Sequence, residues 1–376
     1  MNHYSKTILF LPFLQIPSGH HQVAHSLMEG ISSNHPELDC KKVEILSYSY
    51  GKVESLVSGT YLNWIRTFPG FYNWLYQVSV YKNVERDKKY RLYEVLFLAH
   101  IRKMVKEIQP SCIICTHSLP SYMLNHLKEK GEVNIPVINV YTDFFIHRFW
   151  GIHHVDFHFV SSLHMKELLQ KKGIKEEQIY ITGIPVHKDI LKVKTQVRKS
   201  PSSLSILITG GNLGVGAIGD LIDSIGTEGK ITYYVLCGKN KTLYQRVRNL
   251  ANNNIIPLQY MESRTEMDKL YDKVDGILTK PGGVTVSEGI IKRKPIFIYD
   301  ALPGQEIINL EELQKLGVVF CLNNWKDKQN SLENQLISFF ENAGHCESMQ
   351  THMSDYHNQL TVMEPAEIVN QLINNY

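Results

Sequence analysis

The sequence predicts an α/β protein built from two doubly wound, Rossmann-like parallel-sheet domains in series. Three observations carry that expectation. Short apolar runs alternate with helical stretches along the whole chain, which is the pattern of βαβ units. The alternation restarts after a polar, basic, proline-containing stretch at 192–203. The length of 376 residues exceeds one ordinary core and points to two domains. The expected boundaries are 1–198 and 199–360, with 361–376 as a closing helix that packs back on the first domain.

In the first half, strands are expected at 8–14, 43–46, 112–115, 137–141, 157–160 and 179–182. Helices are expected between them at 22–32, 90–108 and 164–172. The opening apolar run follows Lys6 and resembles the short apolar region of a signal peptide, but no small-residue cleavage site follows it, so it reads as a first buried strand. The second half repeats the pattern, with strands at 204–209, 233–236, 255–259, 276–279, 296–299 and 318–320. In such sheets ligands bind at the carboxyl ends of the strands, so the expected site is a central cleft that the two domains face. No segment reaches the roughly twenty apolar residues of a membrane span.

Composition excludes several classes. The chain is 43% hydrophobic and 20% charged, as in soluble globular proteins. Its net charge of +3 gives no reason to expect a nucleic-acid partner. The charge is uneven, however. Residues 41–106 hold twelve Lys/Arg against five Asp/Glu, so this region is basic and the remainder slightly acidic. A basic face of that kind suits an anionic membrane surface. Six cysteines without a framework spacing suggest a reducing, cytoplasmic compartment. Cys112 and Cys115 lie in an apolar run whose alternation sends their side chains to opposite faces, so they read as structural.

The stretch Lys280-Pro281-Gly282-Gly283-Val284-Thr285-Val286-Ser287-Glu288 carries the most chemistry. Paired glycines let a backbone approach a ligand closely, and the free N–H groups that open the next helix attract phosphate oxygens. Glu288, expected in the first turn of that helix, can accept hydrogen bonds from two sugar hydroxyls. The combination suits a nucleotide-sugar. The alternative is an ordinary glycine turn in which Glu288 merely favours the helix dipole. A second glycine turn, with Gly210, Gly211 and Gly214, follows the first strand of the second domain and is expected to support the diphosphate from the other side; the alternative is a plain tight turn. Met261, after the strand at 255–259, joins the expected donor contacts.

In the first domain, Gly19 and His20 open a helix after the first strand. Asp143 and His147 follow the strand at 137–141. His20 can take a proton near neutral pH, and Asp143 can act as a base or orient a histidine. Residues 61–76 hold seven aromatics and one charge, with a basic run at 82–91. Trp64, Phe68, Phe71 and Trp74 beside that rim suit an in-plane contact with a lipid headgroup boundary; a protein interface is the alternative.

Taken together, Gly19-His20, the segment from Thr142-Asp143-Phe144 to Thr182-Gly183-Ile184-Pro185-Val186, and the segment from Thr279-Lys280-Pro281-Gly282-Gly283 to Gly304-Gln305-Glu306 with Asn309 carry a family resemblance. The chain resembles the bacterial processive diacylglycerol glucosyltransferases and the plant monogalactosyldiacylglycerol synthases. The resemblance implies a GT-B glycosyltransferase, inverting, without a metal or other cofactor, that moves a hexose, glucose in the first instance, from a UDP-sugar to a diacylglycerol-type acceptor. It implies a peripheral enzyme on the inner face of the cell membrane. It assigns Glu288 to the ribose, Gly282, Gly283, Val284 and Thr285 to the diphosphate, and Gln305, Glu306 and Asn309 to the hexose. Gly19, His20 and Asp143 fall on the acceptor side. The sequence has no Asp-x-Asp metal signature. Two departures stand out: the glycine run before the histidine is reduced to Gly19, and His187 stands where relatives often carry an arginine. Rival readings are a UDP-sugar transferase with another acceptor, a UDP-sugar epimerase, and a non-catalytic membrane-bound sensor of UDP-sugars.

Overall fold

In the computed structural model, residues 6–13, 18–50, 90–191, 204–210, 218–226, 229–250, 252–327 and 330–376 are described. They divide into two compact units, 1–187 with 359–376, and 188–358. The stretch at 192–203, the aromatic segment with Trp64, Phe68, Phe71 and Trp74, and the glycines Gly211 and Gly214 lie outside the described residues.

The first unit is built on a parallel sheet of six described strands in the order β2-β1-β3-β4-β5-β6. These are β1 (Thr7–Leu11), β2 (Asp39–Lys42), β3 (Cys112–Cys115), β4 (Val137–Val140), β5 (Phe157–Val160) and β6 (Ile179–Ile181). The helices between them are α1 (Gly19–Asn34), α2 (Ile45–Tyr50), α3 (Arg91–Ile108), α4 (Ser118–Glu129) and α5 (Leu163–Lys171). The central strands are buried on both faces, which is why they read as unbroken apolar runs. Cys112 and Cys115 are both free and buried in β3. The expected strand at 43–46 is corrected: β2 is Asp39–Lys42, and Ile45 already belongs to α2. At the edge of the described sheet, β2 pairs with β1 alone among the described strands and leaves Lys41 and Lys42 exposed, so it needs no apolar sequence.

The unit is closed by α13 (Pro365–Asn375), which begins at a proline suited to the first helical position. It packs against α1, where a Cβ on Gly30 would lie 3.3 Å from the Ala366 Cβ. Glu367 accepts hydrogen bonds from Asn34 at 2.9 Å and pairs with His35 at 3.0 Å.

The second unit repeats the architecture, in the order β12-β11-β10-β7-β8-β9, again with every pairing parallel. Its strands are β7 (Ser205–Thr209), β8 (Thr232–Leu236), β9 (Ile255–Leu258), β10 (Gly276–Thr279), β11 (Ile296–Ile298) and β12 (Phe320–Cys321). Its helices are α6 (Ile218–Asp223), α7 (Lys241–Arg248), α8 (Arg264–Lys273), α9 (Gly283–Ile291), α10 (Gln305–Lys315), α11 (Leu332–Glu341) and α12 (Ala343–Gln359). No described helix is long and apolar enough to cross a membrane.

Helix α9 sits closely on β10 and β11 because Gly289 has no side chain. A Cβ there would lie 2.9 Å from Ile296 Cδ1 and 3.1 Å from Ile277 Cδ1. Behind the helix, Lys292 is buried and paired with Asp268 at 2.8 Å and Asp272 at 2.5 Å. Replacing Gly289 with valine should force the helix away from the sheet and lower unfolding free energy by about 1–3 kcal/mol, as overpacking does. Urea unfolding checks this; an unchanged midpoint would mean that the contact is not tight.

Candidate active site

In the first unit, His20 lies in the first turn of α1 and reaches the carboxyl ends of β3 and β4. Its Nδ1 is 2.7 Å from the Thr116 carbonyl oxygen and 2.9 Å from Thr142 Oγ1. A carbonyl oxygen can only accept, so Nδ1 carries the proton and Nε2 keeps its lone pair. Burial holds the imidazole below its ordinary pKa, opposed by the Asp143 carboxylate and the Thr116 carbonyl. The ring is therefore a neutral base near neutral pH, and Asp143 favours the imidazolium formed when it takes a proton.

His117 packs edge-on to His20, with ring centroids 4.8 Å apart, and stacks on Phe13 at 4.9 Å. Its Nδ1 accepts the Leu119 N–H at 3.1 Å and so caps α4. Burial, then neighbouring His20 and His147, hold it well below its usual pKa. His147 is buried, accepts the Phe149 N–H at 3.3 Å, and is pushed down to about 3, first by burial and then by His20. The structure thus gathers His20, Asp143 and His147 at one place, with Gly19 exposed beside them. Thr116 and His117 were not expected from the sequence, although their position directly after β3 was a usable signal. His187 is buried and its Nε2 pairs with Glu29 of α1.

In the second unit, Gly282 precedes α9 with φ −86° and ψ 140°, a backbone any residue adopts. A Cβ added to it would meet nothing within 4 Å. Neither strain nor packing demands glycine there, which leaves room for an approaching ligand. No side chain caps the helix, so the N–H groups of Gly283, Val284 and Thr285 at its start have no intrahelical acceptor, an arrangement that suits an anion.

Glu288 is only 6% exposed. It occupies the second turn of α9, not the first as expected, because the helix begins at Gly283 and not at Thr285. Its Oε2 accepts from the Tyr271 hydroxyl at 2.7 Å, and Arg264 Nη1 lies 4.0 Å from Oε1. Burial and that carboxylate raise the Tyr271 pKa well above its usual value, so it stays a donor. Tyr271 and Arg264 belong to α8, and nothing local in the sequence marks them. Half-buried Met261 lies just before that helix.

Helix α10 starts after Gly304, whose φ of 98° only glycine tolerates readily. Gln305 and Glu306 form its first turn, and buried Asn309 lies one turn beyond Gln305 on the same face. Glu306 Oε2 accepts the Leu302 N–H at 2.6 Å and lies 3.5 Å from Lys280 Nζ. Gly210 is held for a packing reason: a Cβ there would collide with Ile218 Cδ1 and lie 3.3 Å from the Tyr299 hydroxyl.

The buried imidazoles have a consequence for stability. His147 and His158 are pushed down to about 3 by burial, whereas an unfolded histidine titrates near about 6.5. As pH falls from about 6.5 toward about 3, the unfolded chain binds protons that the folded chain refuses, costing about 1.4 kcal/mol per pH unit at each site. Urea unfolding should therefore give a lower midpoint at about pH 5 than at about pH 7. Equal midpoints would show that these rings are charged within the fold.

A family model described as monogalactosyldiacylglycerol (MGDG) synthase matches residues 20–186. The chain is 40% identical over 368 residues to the uncharacterized glycosyltransferase YkoN of Bacillus subtilis, covering 98% of this chain and 97% of that protein. It is 31% identical over 261 residues to a processive diacylglycerol beta-glucosyltransferase of Bacillus cereus, covering 66% of each. Among solved structures, MurG of Acinetobacter baumannii shares the fold at 13% identity with a TM-score of 0.61, over 99% of this chain and 100% of that one.

Proposed function

The chain belongs to the family of monogalactosyldiacylglycerol synthases and processive diacylglycerol glucosyltransferases and is a GT-B glycosyltransferase; from that premise we propose that it moves a hexose, glucose in the first instance, from a UDP-sugar to a diacylglycerol-type lipid. The observation that carries this reading is the open α-carbon of Gly282 at the uncapped start of α9, with the buried carboxylate of Glu288 one turn further on. Diphosphate oxygens suit the free N–H groups, and Glu288 suits a ribose diol. The Bacillus cereus relative is named for transfer of a β-glucosyl group to diacylglycerol, which favours that acceptor class here.

The proposed chemistry is an inverting displacement. The acceptor hydroxyl attacks the anomeric carbon from the face opposite the departing UDP, and His20 Nε2 takes its proton. Asp143 stabilises the resulting imidazolium. The α9 N–H groups stabilise charge that grows on the diphosphate, in the role that a metal fills elsewhere, so this mechanism requires none. Preorganised donors of this kind are worth about 3 kcal/mol each in the transition state. Gln305 and Asn309 join Glu306 in binding the hexose. The aromatic stretch at 61–76 and the basic surplus at 41–106 support action at an anionic membrane surface, as a peripheral protein on the inner face of the cell membrane.

Two variants test the assignment. Glu288→Ala should weaken UDP binding about tenfold or more, the loss of hydrogen bonds to a charged group. His20→Ala should leave UDP affinity within about twofold while lowering transfer from UDP-glucose to diacylglycerol vesicles by about 10²–10⁴, the usual contribution of a general base. Calorimetry and mass spectrometry of the lipid products read the two effects. A Glu288→Ala protein that binds UDP undiminished would sink the donor assignment.

A further inference from the structure

Two buried polar atoms of the second unit lack a hydrogen-bond partner at the same strand ends: Lys280 Nζ, directly after β10, and the Tyr299 hydroxyl, directly after β11. Both residues are almost fully buried, at 6% and 4% exposure. Such groups are rare in folded proteins and call for an explanation. Lys280 sits 3.5 Å from Asp300 Oδ2 and 3.5 Å from Glu306 Oε2. Charge-assisted hydrogen bonds close to about 2.8 Å, so neither contact is a completed bond. The ammonium is shared between two carboxylates. On Glu306 both constraints fall on one atom: Oε2 takes the Leu302 N–H and faces Lys280, while Oε1 has no hydrogen bond among the described residues.

We propose that Lys280 is a positioning residue that holds Glu306 ionised, with Oε2 pinned and Oε1 presented as an acceptor for a hydroxyl of the donor hexose. This rests on the UDP-sugar reading above. The groups that face Glu306 are Lys280, Asp300 and the Tyr299 phenol, together with the Leu302 N–H. Burial works against the ionised form of Glu306 and Asp300 adds to that, whereas Lys280 and the Leu302 N–H oppose it. On balance the Glu306 pKa is raised, and Lys280 is the one cation, among the groups facing it, that favours the charged form. Without it the carboxyl would protonate at higher pH, and a protonated oxygen is a poorer acceptor for a sugar hydroxyl.

The readout is the KM for UDP-glucose against the inhibition constant of UDP, measured from about pH 6 to about pH 9 with diacylglycerol vesicles as acceptor. Lys280→Met should raise the KM about tenfold near neutral pH, the weight of one charged hydrogen bond, and leave UDP inhibition within about twofold. Raising the pH should recover much of that loss, because Glu306 then ionises unaided. Lys280→Arg should restore most of the affinity. Glu306→Gln should raise the KM at every pH, and adding Lys280→Met to it should cost nothing more. A Lys280→Met defect that is constant with pH, or that weakens UDP and UDP-glucose equally, overturns the positioning role while leaving the donor reading intact. Absence of both UDP inhibition and UDP-glucose consumption in the unmodified protein overturns both. If Lys280→Met does not fold, Lys280→Gln takes its place in the same pH series, and a KM defect that is constant with pH, or that persists undiminished when Glu306→Gln is added, would again refute the role.

Discussion

The close seating of α9 on β10 and β11 governs the carboxyl-terminal end of the second sheet. Gly289 lets the helix lie within van der Waals contact of Ile277 and Ile296, and the strand pair behind it is buried on both faces. That contact fixes where the helix begins. Its free N–H groups emerge at the carboxyl end of β10, and Glu288 is carried to a place where Tyr271 and Arg264 can hold it. A helix displaced by one methyl group would move those N–H groups and the carboxylate together, because both are parts of one rigid element.

The first unit solves a different problem by the same means. A base must be neutral before the reaction and tolerate a proton during it. The carbonyl of Thr116 dictates which nitrogen of His20 carries hydrogen, burial keeps the ring uncharged, and Asp143 lies ready to favour the charged form. Neighbouring His117 and His147 are locked as acceptors of backbone N–H groups, so they are spent on structure, and the proposed proton transfer falls to His20. The buried ammonium of Lys280 offers the mirror image in the second unit, a cation that tunes a carboxylate.

The sequence carries much of this in readable form, and where it is silent the reason is physical. Apolar runs announce β1, β3, β4, β7 and β10 because strands buried on both faces admit almost nothing else. The edge strand β2 escapes notice because one side of it meets water, and its residues Asp39–Lys42 look like a loop. Paired glycines mark the turn before α9, yet the start of that helix at Gly283, and hence the true turn of Glu288, depends on backbone geometry that glycine leaves unspecified.

What the chain by itself determined is the class of fold, the family and the residue types on offer: a histidine and an aspartate after early strands, a glutamate after a glycine turn, a glutamine and a glutamate after Gly304. These are local facts, set by periodicity and by backbone requirements a few residues long. What only the tertiary structure decided is the state of each group. That His20 bears its proton on Nδ1, that Glu288 is gripped by Tyr271, and that Glu306 shares Lys280 with Asp300 are outcomes of contacts between residues from 17 to 122 positions apart. Protonation and orientation come from burial and from neighbours, and neighbours are assigned by the packing of strands and helices rather than by position along the chain.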